Sequence, residues 1–155
     1  MDQQTVLHNT FQIEREYAAS PERVFAAFAD PAKKRRWSAE GEHHTLEQYE
    51  HDFRVGGREW YLSRFNPNSP LPGMTLSSEI FYREIVPNRR LIFSSAMAIN
   101  GKTFSVSLGT VELAGSEKGT NLTLTFQSAF LEGSDGPAMR EAGWRKLLEK
   151  LGDTV

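Results

Sequence analysis

The sequence predicts an α+β fold: one antiparallel sheet of about six to seven strands wraps around a long C-terminal helix, and two short helices follow the first strand. Three observations predict it. Apolar and polar residues alternate in short runs from Phe11 to Phe130, the mark of strands with one buried face. Turn residues separate consecutive runs, so neighbouring strands pair as hairpins. The period changes only near the end, where Trp144, Leu147, Leu148 and Leu151 fall at helical spacing.

Each element has its own signals. In "FQIEREYA", Phe11, Ile13 and Tyr17 share one face, and Gln12, Glu14 and Glu16 share the other. Arg15 sits on the apolar face, which is an anomaly. In "SPERVFAAF", Ser20 suits the N-cap, Pro21 the first turn and Glu22 the positive end of the helix dipole. Val24, Phe25 and Phe28 form its apolar stripe. Asp30-Pro31 stops this helix and starts a second, "AKKRRW". Tyr49, His51, Phe53 and Val55 then share a face opposite Glu50, Asp52 and Arg54. Gly56-Gly57 reads as a two-residue hairpin turn, with "REWYLSRF" returning. It lacks the spacing of a dinucleotide fingerprint, and no helix follows it.

Later strands follow the same logic. "NPNSPLPG" is an irregular connection. "LSSEIFYREIV" is closed by Pro87-Asn88, and "RLIFSSAMAI" places Leu91, Phe93, Met97 and Ile99 together. Asn100-Gly101 is the strongest hairpin signal in the chain. In "KTFSVSLGTVEL", Phe104, Val106 and Leu108 alternate; "AGSEKGT" turns; and Leu122, Leu124 and Phe126 align in "NLTLTFQSAF". The last segment, "PAMREAGWRKLLEKLG", adds a Glu141–Arg145 pair and Gly152 near its C-terminal cap.

Length and composition narrow the class. The chain has 155 residues, enough for one domain over 1–155 with its core over about 10–152. Net charge is −2 and the sequence pI about 6.1, which argues against binding nucleic acid. Without cysteine there are no disulfides, thiolate metal sites or cysteine nucleophiles. This fits a reducing compartment, and a cytoplasmic location is expected. "MDQQTVLHNT" carries no visible signal peptide. No stretch reaches the ~20 apolar residues of a membrane span. A twisted sheet wrapped around one helix leaves a gap where the two diverge, and such gaps take small molecules.

The ordered pieces "EREYAASPERVFAAFADPAKKRRW", "DFRVGGR", "REIVPNRRLIFS", "GTNLTLTF" and "GWRKLLEKL" resemble the START-like superfamily, also called SRPBCC or birch-pollen-allergen-like. Within it they are most similar to the branch named after the activator of the heat-shock protein 90 ATPase. The resemblance implies a helix-grip fold with a hydrophobic cavity between sheet and C-terminal helix. Two departures fall where a cavity mouth is expected. Members often carry adjacent tryptophans after the second short helix, where this chain has Trp37-Ser38, and the "NPNSPLPG" loop looks longer.

The expected ligand-binding residues are Arg15, Trp37, Tyr49, His51, Phe53, Trp60, Phe93 and Trp144. His51 is either a polar group aimed at a ligand or hydrogen-bonded to a neighbour at the sheet margin. Arg15 pairs with an acidic ligand, pairs with a carboxylate of the chain, or reaches the edge. Asp52, Arg54 and Arg58 read as cross-strand ion pairs near the turn. "EGEHH" places adjacent histidines on opposite strand faces and matches no metal motif. "KKRR", Lys33 to Arg36, reads as a solvated face able to dock an acidic partner. No catalytic residue, metal or cofactor is expected. Three functions remain: binding a small hydrophobic or aromatic molecule, a cyclase- or hydrolase-type enzyme using the same cavity, or a module docking on a chaperone.

Overall fold

Alternation, caps and turns become eleven pieces of chain in the computed structural model, which describes residues 6–155. The order is β1 Leu7–Tyr17, α1 Pro21–Ala29, α2 Pro31–Lys34, a π-helical continuation Arg35–Ala39, β2 His44–His51, β3 Arg58–Phe65, β4 Thr75–Val86, β5 Arg90–Ile99, β6 Lys102–Ser116, β7 Gly119–Phe130 and α3 Pro137–Gly152. The strands form one open antiparallel sheet in the order β1-β7-β6-β5-β4-β3-β2. This is the expected α+β helix-grip architecture. Among the described residues, no helix is long and apolar enough to cross a membrane.

Local chemistry explains the boundaries. Asp30 Oδ1 accepts from the backbone N–H of Ala32 at 2.9 Å and of Lys33 at 3.3 Å, so one carboxylate starts α2 as α1 ends. Asn100 and Gly101 both have positive φ, 48° and 80°, as a tight β5–β6 turn requires.

Helix α3 meets the sheet on one side only. Leu148 and Leu151 are fully buried with Ile13, Val24, Leu122 and Leu124. The Tyr17 hydroxyl donates to the Leu148 carbonyl at 2.7 Å. On its other side α3 packs on the 35–39 segment, while β3, β4 and β5 curve away beneath it.

Two expectations from alternation are corrected. The β2–β3 connection is the six-residue stretch 52–57, not a two-residue turn. The Gly56 N–H donates to the Tyr82 carbonyl at 2.7 Å and the Tyr82 N–H to the Gly57 carbonyl at 3.1 Å, which stitches the loop to β4. Gly56 has φ 82°, and a Cβ on Gly57 would lie 2.0 Å from the Asp52 oxygen. One glycine supplies a left-handed turn and the other a close backbone approach. Alternation therefore ends at His51: Phe53 turns inward, whereas Val55 is 61% exposed. The second correction concerns β6. Met97 pairs with Ser105 and Ala98 with Thr103, so Phe104 is the extra residue of a bulge. The bulge places Ser105, Ser107 and Val111 on the buried face, leaving Val106 and Leu108 49% and 40% exposed on the other.

Candidate functional site

The space between α3 and the curving strands is a cavity of ≈ 370 Å³. Its floor comes from Glu59 and Tyr61 on β3, Ser78 and Ile80 on β4, Phe93, Ser95 and Met97 on β5, and Phe126 on β7. Arg140, Trp144 and Leu147 of α3 face it, and exposed Glu40, Gly41, Met139, Gly143 and Lys146 form its rim. Small residues keep it hollow. Serines stand at floor positions 78 and 95 where large apolar side chains would fill the gap. A Cβ on Gly109 would sit 2.2 Å from Phe93 Cζ, so only glycine lets that ring lie across β6. Trp144 adds an aromatic wall, 5.4 Å from the Phe126 ring and 6.3 Å from that of Phe93.

One end of the cavity is a buried polar network. Lys34 Nζ lies 2.7 Å from Glu59 Oε1, and the two residues are 6% and 1% exposed. The ammonium also donates to Ser38 Oγ at 3.3 Å and stands 5.1 Å from the Trp37 ring centroid. Tyr82 and Tyr49 donate to Oε1 and Oε2 of Glu59, each at 2.8 Å. His51 Nε2 lies 2.9 Å from the Tyr82 hydroxyl. Because that hydroxyl gives its only proton to Glu59, His51 Nε2 must be the donor. His51 Nδ1 is then a bare acceptor, buried without a partner among the described residues.

Burial alone would raise the Glu59 carboxyl. The Lys34 charge and hydrogen bond, helped by His51 and Tyr49, override it and hold the group below its ordinary value. Tyr82 and Tyr49 are pushed far up by burial and then by the Glu59 charge, so both remain neutral donors. Burial lowers His51, with Lys34 reinforcing it and Glu59 opposing, and burial also lowers His44 at the rim. The imidazoles are neutral at pH 7.

The other end holds a second compensated cation. Arg140 Nε and Nη2 donate to Asp135 Oδ2 and Oδ1 at 2.8 and 2.9 Å, and Nη2 also donates to Ser105 Oγ at 2.9 Å. The guanidinium carbon stands 5.3 to 6.0 Å from the Phe130, Phe104 and Phe126 ring centroids.

Among the residues expected at the site, Phe93 and Trp144 line the cavity. Tyr49 and His51 form a layer behind Glu59, and Phe53 packs farther back against Phe25 and Tyr82. Trp37 is fully buried in the core, edge-on to Phe28, its Nε1 donating to the Ala27 carbonyl at 2.8 Å. Trp60 lies on the outer face, bonded to Gln48 and covered by the Arg58 guanidinium. Arg15 donates from Nη2 to the Arg145 carbonyl at 3.0 Å, a link from β1 to α3. Arg58 does make the cross-strand pairs, with Glu50 and Glu79.

Sequence reasoning missed Lys34, Glu59, Tyr61 and Arg140. Lys34 was expected on a solvated face and is instead buried. A helical turn places Lys34 on the same side as Trp37 and Ser38, a signal that the run of like charges obscures. Ser38, where relatives are expected to carry tryptophan, lines the cavity beside Lys34, whereas the 66–73 loop contributes nothing to it.

A family model described as activator of Hsp90 ATPase homolog 1-like protein matches residues 18–155. The chain belongs to this family. Several solved structures overlay it almost end to end. A crystal structure of a protein from Rhizobium loti is 45% identical, with a TM-score of 0.84 over 98% of this chain and 100% of that one. An uncharacterised protein from Rhizobium leguminosarum is 32% identical, with a TM-score of 0.87 over 97% of this chain and 95% of that one. The solution structure of an AHSA1-like protein from Aeromonas hydrophila, 23% identical with a TM-score of 0.69, covers 95% of this chain and 92% of that one and shares the fold. No curated protein matches the chain.

Proposed function

We propose that the protein binds a small apolar or aromatic molecule in the cavity between its sheet and α3. The observation that carries this reading is the cavity itself: ≈ 370 Å³, walled by Ile80, Phe93, Met97, Phe126, Trp144 and Leu147. Its size falls in the range of small-molecule sites, roughly 300–1,000 Å³. Apolar side chains supply most of its exposed wall and polar groups gather toward its ends and rim, an arrangement in which shape gives affinity and a hydrogen bond gives orientation. A thermal-shift series with small aromatic compounds tests it. The midpoint should rise with ligand concentration, by the linkage RT ln(1 + [L]/Kd). A midpoint that stays flat across apolar aromatics of graded size would rule the reading out.

Family membership favours a second reading, docking on a chaperone ATPase. The basic docking face is smaller than the sequence suggests, because Lys34 is buried and Arg35 pairs with Glu40 at 3.0 Å. Neutralising Lys33, Arg35 and Arg36 together should weaken salt-sensitive chaperone binding. Undiminished affinity in that variant would exclude this face.

A further inference from the structure

Inside its rim the cavity's carboxylates are engaged, while some of its donors are free. Glu59 accepts from Lys34, Tyr49 and Tyr82, Asp135 accepts two bonds from Arg140, and Glu40 at the rim pairs with Arg35, so all three carboxylates of the lining are engaged. On the donor side, Tyr61 and Ser78 stand directly opposite one another in the β3–β4 register. Their hydroxyls carry two protons, and a bond between them uses one. The other has no acceptor among the described residues, and both residues line the hollow. Arg140 Nη1 likewise makes no hydrogen bond among the described residues.

Charge decides what kind of acceptor fits. Lys34 is cancelled by Glu59 and Arg140 by Asp135. A ligand carboxylate between these two pairs would lose its hydration and find both neighbouring cations already compensated, a cost that burial makes large. The other cations of the lining are exposed Lys146 and half-buried Lys150, whose ammonium donates to the backbone carbonyl of exposed Glu40 at 2.6 Å, so a carboxylate meets them only at the rim, where solvent screens the pair. A neutral carbonyl needs one donor and brings no charge. Tyr61 supplies that donor from the floor. Burial, together with Glu59, pushes its hydroxyl up to about 12 against the opposing Arg140, so it keeps its proton at pH 7.

We propose that the cavity selects a flat apolar molecule bearing a neutral carbonyl oxygen, and that Tyr61 donates the selecting hydrogen bond. This rests on the ligand-binding reading above. The test titrates intrinsic tryptophan fluorescence, to which Trp144 contributes from the cavity wall, with acetylnaphthalene, ethylnaphthalene and naphthoate, in the wild type and in Tyr61→Phe. Acetylnaphthalene should bind roughly tenfold more tightly than ethylnaphthalene, as one buried hydrogen bond allows. Tyr61→Phe should abolish that advantage while ethylnaphthalene still binds, which also reports an intact cavity. Equal affinities in the wild type, an advantage that survives Tyr61→Phe, or naphthoate binding tightest would each overturn the proposal while sparing the cavity. Failure of all three probes to bind would overturn the cavity reading itself. Should Tyr61→Phe not fold, Ser78→Ala serves: it frees the Tyr61 proton entirely, so the carbonyl advantage should persist or grow, and its loss would overturn the proposal.

Discussion

Lys34 and Glu59 carry the sharpest consequence at the scale of single residues. Their ion pair is buried, and its remaining bonds go to Tyr49, Tyr82 and Ser38. Lys34→Met would strand a buried carboxylate and should cost about 3–5 kcal/mol in urea unfolding. Adding Glu59→Gln removes the stranded charge and keeps an acceptor for the tyrosines, so most of that loss should return. Additive losses in the double variant would contradict the pairing. The pH dependence has a definite sign. His51 and His44 are held below the ordinary imidazole value, so below about pH 6.5 the unfolded chain takes up protons first and stability falls. Glu59 is also depressed, so its contribution, full above the unfolded value of about 4.3, is lost as the pH drops through its folded value. Unfolding free energies across pH should therefore fall in two stages, with Glu59→Gln flattening the acidic one. An unchanged acidic limb in that variant would contradict the assignment. Phe93 and Trp144 were legible because one lies on a clean alternation and the other on a clean helical period. Glu59 was not, because β3 carries large side chains on both faces: Glu59 and Tyr61 on one, Trp60 and Leu62 on the other.

Elements were easier to read than the irregularities within them. Caps at Ser20 and Asp30, and the turns at Asn88 and Asn100-Gly101, announce themselves because each backbone geometry admits few residue types. Bulges leave no such mark. The extra residue at Phe104 reverses the faces of β6, and Val106 and Leu108, apolar and correctly spaced, end outside. Gly109 belongs to this scale because it sets how closely β5 and β6 pack over the floor. Gly109→Ala should push the Phe93 ring into the hollow, costing about 1–3 kcal/mol as overpacking. The same variant should bind aromatic probes more weakly. Probe affinity equal to wild type, by titration of intrinsic tryptophan fluorescence, would mean that Phe93 does not shape the site.

At the scale of the whole molecule, the order of elements determines where a cavity can form. Strand β1 pairs with β7 at one edge of the sheet, and α3 comes down on that edge. With Leu148 and Leu151 seated there, β3 to β5 are left to curve away beneath the opposite side of α3. Hairpin signals and a single change of period make that topology readable. The hollow's polar lining is not readable in the same way, because it arises where three strands and two helical segments converge. Methyl-resolved NMR of the protein saturated with an apolar aromatic probe tests the hollow most directly. The expected result is perturbation concentrated on Ile80, Met97, Met139 and Leu147; perturbation confined to the outer-face methyls of Val106 and Leu108, or none at saturation, would contradict a ligand site between sheet and helix.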